Sequence, residues 1–179
     1  FRSMTASCGV AEFGAEPLEQ TDILKRASLA MHRSRAKGRN IWCLFEPELG
    51  RVAENRRWLE AEMQGAIDRK DFELHYQPQL DLASGMVVGY EALVRWRHPV
   101  RGLIAPNDFI PVAEDTGLIA PLGDWVLRQA CRDALHLPAS TFVAVNLSAA
   151  QFLLSDMVES VRSALEDTGL SPKRLELEI

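Results

Sequence analysis

Glu91, Asn146 and Glu178 are the residues of this chain whose types and placement could do chemistry together. Each falls in the carboxy-terminal part of a short run that reads as a β-strand, and each is metal-capable or a strong hydrogen-bonding group. Around Glu91, the alternate residues Met86, Val88, Tyr90, Ala92, Val94 and Trp96 form an unbroken apolar face. The opposite face carries Val87, Gly89, Glu91, Leu93 and Arg95, so a carboxylate and a guanidinium point the same way, off the greasy side. Strand propensity calls for neither. The pair is either solvated or turned towards a site that holds a cation or a small anion.

The elements that must position these groups show the same alternation. In Phe142 to Ser148, Val143, Val145 and Leu147 share one face, and Ala144, Asn146 and Ser148 the other. In Arg174 to Ile179, Leu175, Leu177 and Ile179 oppose Arg174, Glu176 and Glu178. Helices are expected between the strands. One is capped by Asn107 or Asp108 and ends near Gly117, and one runs from about Asp124 to Leu137, with Trp125, Val126, Ala130, Ala134 and Leu135 buried. The third carries Leu154, Val158, Val161 and Leu165 at helical spacing. Alternating strands and helices imply an α/β fold with parallel pairing and right-handed crossovers, in which strand ends converge on a site. One polar residue of this kind reads as solvated. Three at matching places favour a shared site.

Upstream, Phe72 to Leu82 also alternates, with Phe72, Leu74, Tyr76, Leu80 and Leu82 opposite Glu73, His75, Gln77, Gln79 and Asp81. The turn signal Ala83-Ser84-Gly85 joins it to the Glu91 strand as a hairpin. Residues 97–106 read as a breaker-rich loop. His75, His98 and His136 lack ligand spacing and read as structural, loop or surface residues; Glu114 reads as a solvated helix residue or one that influences a substrate-facing loop. Glu54 to Lys70 forms an amphipathic helix. Before it, a strand within Ser7 to Phe13, a helix entered through Glu16-Pro17 and ended by Gly38, and a strand over Ile41 to Phe45 are too little to bury a core alone. The chain starts abruptly at Phe1 and reads as an excerpt.

Composition narrows the classes. A hydrophobic content of 47% with 25% charged residues suits a globular protein, and a net charge of −5 argues against a nucleic-acid polymer as partner. Three cysteines without C-x-x-C spacing indicate neither a disulfide framework nor structural zinc, and point to a reducing, cytoplasmic setting. No apolar run approaches the about 18 residues of a membrane span.

From about residue 56 onward the chain resembles the amino-terminal half of an EAL domain, the cyclic di-GMP phosphodiesterase family. The matching blocks are Tyr76-Gln77-Pro78, Glu91-Ala92-Leu93-Val94-Arg95-Trp96, His98-Pro99 with Gly102, and Phe109-Ile110-Pro111 through Ala113-Glu114 to Thr116-Gly117-Leu118-Ile119. Asn146-Leu147-Ser148 and Leu177-Glu178-Ile179 complete the series. The resemblance implies the amino-terminal part of a TIM-type (β/α) barrel whose first strand is antiparallel to its neighbour. It implies that Glu91, Asn146 and Glu178 hold Mg2+ or Mn2+, for which hard oxygen donors are suited. It implies that Gln77, Leu93 and Arg95 contact cyclic di-GMP, with the Arg95 fork suited to phosphate, and that Glu91 is the most sensitive catalytic position.

Residues 1–46 resemble the carboxy-terminal end of a GGDEF domain through Ser7 and Gly9, Ala27-Ser28-Leu29-Ala30-Met31 and Gly38-Arg39-Asn40, departing from the usual pattern at Ser28, His32 and Arg35. The GGDEF signature itself is missing from the chain, so no cyclase activity is expected. The implied division is 1–46 GGDEF-like, 47–70 linker or opening helix, and 71–179 EAL. Family members continue past the third ligand with further acidic residues and a lysine, so these 179 residues alone are expected to be inactive. The complete domain would hydrolyse cyclic di-GMP to the linear dinucleotide. The alternative is a degenerate EAL module that serves as a receptor for cyclic di-GMP, a protein-interaction module or a homodimerisation piece.

Overall fold

The computed structural model describes residues 4–14 and 18–179, and these divide into two units on either side of Trp58 and Leu59. The expected helix entry at Glu16-Pro17 lies outside the described residues. In the first unit, β1 (Cys8–Val10) pairs in parallel with β2 (Trp42–Leu44), and α1 (Gln20–Ala36) connects them. Gly9 is required there, because a Cβ would sit 2.0 Å from the Ala27 carbonyl oxygen of the covering helix. Arg33 Nη1 donates to Glu46 at 2.6 Å, while Arg26 lies 5.4 Å from the centre of the Phe45 ring.

α2 (Pro47–Arg69) starts at Pro47, a full two turns before the amphipathic stretch seen in sequence. Proline is accommodated at a helix start because its missing N–H has no partner there in any case. The helix ends on Lys70, whose positive φ lets Asp71 N donate to Ala66 O at 2.9 Å.

In the second unit, β3 (Phe72–Leu80) and β4 (Val87–His98) form the expected antiparallel hairpin. Asp81 closes its turn by accepting from Ser84 N and Oγ, and Gly85 takes the positive φ the turn needs. Leu82 therefore sits in the turn, 99% exposed, instead of extending the apolar face, and Met86 and Val88 are exposed too. That face is buried only where helices cover it, at Ala92 and Trp96.

A short strand, β5 (Gly102–Ile104), lies inside what reads in sequence as a loop, and pairs with the end of β4. His98 makes this return: its Nδ1 accepts from Val100 N and Arg101 N, both at 3.1 Å. α3 (Pro106–Thr116) is entered from Ala105 with Pro106 in its first turn, not capped by Asn107 or Asp108, because proline fixes the helical φ one residue earlier. Gly117 ends it at φ 78.

α4 (Ile119–Ala134) begins earlier than its periodicity suggests and buries Leu122, Val126, Ala130 and Ala134, whereas Leu135 is exposed beyond its end. β6 (Phe142–Asn146) comes next; Val143, Ala144 and Val145 are all fully buried. The expected single helix after it is two: α5 (Gln151–Leu154) and α6 (Met157–Thr168). Asp156 accepts from Glu159 N and starts a new helix out of phase with the first, which leaves Leu154 and Val158 exposed. After a 3-10 turn at Pro172–Arg174 comes β7 (Leu175–Glu178).

The sheet order is β3-β4-β6-β7, with β4, β6 and β7 parallel. On the helix side, Phe72, Trp96, Phe109 and Trp125 pack with ring centres 5.4 to 6.4 Å apart. Truncating a buried Trp to Ala in such a cluster costs about 3–5 kcal/mol. Two polar ties supplement it. Tyr76 Oη donates to Asp133 at 2.7 Å, joining β3 to α4, and Arg174 donates to the Thr141, Ala134 and Pro138 carbonyls, joining the start of β7 to the end of α4. Hydrogen bonds from a charged donor are worth about 1.5–3 kcal/mol. Arg174→Ala is expected to lower the melting temperature of the full-length protein's EAL transition by at least about 3 °C in calorimetry. Arg174→Lys is expected to recover only part, since an ammonium lacks the planar fork.

Candidate functional site

Strand alternation and pairing register together bring the polar residues to one face and one end of the sheet. Gln77 on β3 lies directly across from Glu91 on β4, so their side chains share a face. Glu91 is aligned with Ala144 of β6, and Asn146, two residues further along the same face, is aligned with Glu178 of β7. Asn146 Nδ2 donates to Glu91 Oε1 at 2.6 Å. On the far side, Gln79 Nε2 donates to Glu178 Oε1 at 3.4 Å, and Leu147 N donates to the Glu178 carbonyl at 2.7 Å. Two carboxylates thus flank one amide. Among the described residues no Lys, Arg or His forms an ion pair with either carboxylate. Such a set offers hard oxygen donors to a cation, while no cluster of three or more His, Cys, Asp or Glu suited to a metal occurs among the described residues.

Leu93 and Arg95 continue the face beyond Glu91, each half-buried. Both line a cavity of about 340 Å3, together with Glu114, Leu122, Asn146 and Ser148. Arg95 donates to the Val94 carbonyl at 2.9 Å, and among the described residues no carboxylate takes up its remaining donors. The nearest candidate by register, Glu73, is engaged elsewhere. Two hydrogen bonds from Arg97 and one contact with His75 hold that carboxylate, which is pushed down to about 2, chiefly by Arg97 and then by His75. His75 and His98 therefore serve the hairpin and the β5 return, as structural residues.

Glu114, Ser148 and Gln151 form a contact not foreseen from sequence. Ser148 Oγ donates to Glu114 Oε1 at 2.5 Å, and Ser148 N donates to Gln151 Oε1 at 2.8 Å. Gln151, 2% exposed, occupies space that only a glycine at position 123 leaves free. The proximity of Ser148 to Asn146 is the only local signal of this contact. Its partners come from other elements.

The fold and the site define a class: an open portion of a β/α barrel with a carboxylate-amide-carboxylate cluster at the carboxy ends of its parallel strands. The sequence matches the EAL domain over residues 60–179, and the chain belongs to that family. It is 46% identical over 180 residues to the cyclic di-GMP phosphodiesterase NbdA of Pseudomonas aeruginosa, covering 98% of this chain and 23% of that protein. To the bifunctional diguanylate cyclase/cyclic di-GMP phosphodiesterase MucR of the same organism it is 40% identical over 182 residues, covering 98% and 26%. The chain spans about a quarter of the length of these curated relatives. The solved PaMucR phosphodiesterase in its c-di-GMP complex matches with a TM-score of 0.65 at 46% identity, over 68% of this chain and 51% of that one. The FimX EAL domain from Pseudomonas aeruginosa bound to c-di-GMP matches at 0.61 and 25% identity, over 66% and 48%. EAL domains are TIM-like barrels, and the open sheet seen here is part of one.

The Glu73 arrangement has a consequence for pH. Its carboxyl is depressed from an ordinary 4.5 to about 2, so its stabilising contribution is complete above 4.5, declines as pH falls below that value and is gone once pH has passed through about 2. Arg97→Ala is expected to raise the Glu73 pKa towards the ordinary range in a carboxyl-resolved NMR titration, and His75→Ala to raise it less.

Proposed function

We propose that this chain supplies the amino-terminal part of the active site of a cyclic di-GMP phosphodiesterase, which hydrolyses one phosphodiester bond to give the linear dinucleotide. The observation that carries the reading is the 2.6 Å contact of Asn146 with Glu91 beside the register partner Glu178, two carboxylates and an amide with no ion pair to either carboxylate among the described residues. The 98% coverage of this chain by two relatives named for cyclic di-GMP hydrolysis supports it. Glu91, Asn146 and Glu178 fit Mg2+ or Mn2+ by donor type. Such an ion supplies positive charge against the phosphodiester and lowers the pKa of water. Arg95 grips a phosphate with its free donors, Gln77 offers its amide from the facing strand, and Leu93 gives the ligand an apolar contact. Residues contributed by the rest of the barrel complete the site. The parallel strand-helix-strand unit within residues 1–46 is the end of a GGDEF domain, the helix of residues 47–70 both links it to the EAL domain and opens that domain, whose family match begins at residue 60, and residues 71–179 continue its first half. No helix among the described residues is long and apolar enough to cross a membrane.

Incubation of the full-length protein with cyclic di-GMP and Mn2+ is expected to yield the linear dinucleotide. Even residues that only support metal ligands are worth about 10–100-fold, so Glu91→Ala should reduce turnover by at least about 100-fold. Arg95→Ala is expected to raise KM. Turnover by Glu91→Ala at the wild-type rate would overturn the assignment, and tight binding by the wild-type protein with no linear product would make it a receptor.

A further inference from the structure

Asn146 is the last residue of β6 and is exposed, so the ladder alone does not hold its side chain at Glu91. The turn beyond it is pinned by side chains. Leu147 is tied to the Glu178 carbonyl, and the chain then bends through Ser148 to Gln151. Ser148 lies at the centre of that turn: its hydroxyl accepts from Ala150 N at 3.1 Å and donates to Glu114 Oε1 at 2.5 Å, while its N–H goes to the buried Gln151 amide. Glu114 is the one charged group in this cluster, and it reaches across from α3. A carboxylate acceptor makes a hydroxyl bond shorter and about twice as strong as a neutral one does. It also fixes the direction of the hydroxyl proton, which leaves a lone pair of the Ser148 oxygen for Ala150 N.

We infer that Glu114 is a positioning residue, which acts through Ser148 to hold Asn146 against Glu91. Among the described residues it makes no hydrogen bond to Asn146 or Glu91. The significance of this for metal binding rests on the function proposed above; the pinning of the turn does not. Glu114 is exposed on its helix, so its replacement removes no core packing and leaves the fold in place.

The test compares Glu114→Ala, Glu114→Gln, Ser148→Ala and the double Ala variant in the full-length protein, using two measurements. In the metal-free protein, hydrogen exchange at Ser148 and Ala150 is expected to rise about fivefold in Glu114→Ala, the loss of roughly one hydrogen bond. Glu114→Gln retains an acceptor oxygen and should restore most of the protection. With Mn2+ alone in calorimetric titration, each Ala variant is expected to bind about fivefold more weakly, and the double variant no more weakly than either single one. Unchanged exchange in Glu114→Ala, losses that add in the double variant, or raised exchange with unaltered Mn2+ affinity would each overturn the inference. Raised exchange in a protein whose wild type binds no Mn2+ would uphold the positioning of the turn and sink the metal assignment instead.

Discussion

The site depends on the parallel register of β4, β6 and β7. Val143, Ala144 and Val145 are fully buried, so β6 cannot slide without exposing apolar side chains. A slip of one residue would turn Asn146 into the core and bring Leu147 to the site face. The same register that satisfies the core therefore sets Asn146 beside Glu178 and within 2.6 Å of Glu91. A polar cluster at strand ends is cheap to keep under this constraint, because its placement is dictated by burial on the opposite side of the sheet.

Stability and chemistry are thus divided between the two faces. The helix side holds the Phe72, Trp96, Phe109 and Trp125 cluster, with Tyr76–Asp133 and Arg174 tying strands to α4. Apart from the buried Ala144, the other side holds mainly the polar residues of the candidate site. Glu73 is where the two concerns meet: it is engaged by Arg97 and His75, not by Arg95, its own register partner. On the proposed function that guanidinium is the phosphate partner, in a chain whose overall charge is negative.

Much of this was legible in the sequence, for a local reason. Strand alternation is a property of neighbouring residues, so the shared face of Glu91 and Arg95, the hairpin, and the stations of Asn146 and Glu178 could be read directly. The hidden features depend on contacts distant in the chain or on competition between local signals. Residues 102–104 read as loop because Pro99 and Gly102 dominate, yet they pair with β4 once His98 has turned the backbone. Leu154 and Val158 matched a helical period, but the Asp156 cap broke it. Arg174 looked like one more polar residue on a strand, whereas its partners are carbonyls 33 to 40 positions away. Glu114 had no sequence neighbour to reveal Ser148.

Convergence of Glu91, Asn146 and Glu178 on one cation is most directly tested by a crystal structure of the full-length protein with bound Mn2+, its position taken from anomalous scattering. The expected result is a manganese peak with oxygens of all three side chains at about 2.0–2.3 Å. A peak ligated by other residues, or one with Glu178 turned away to solvent, would contradict it.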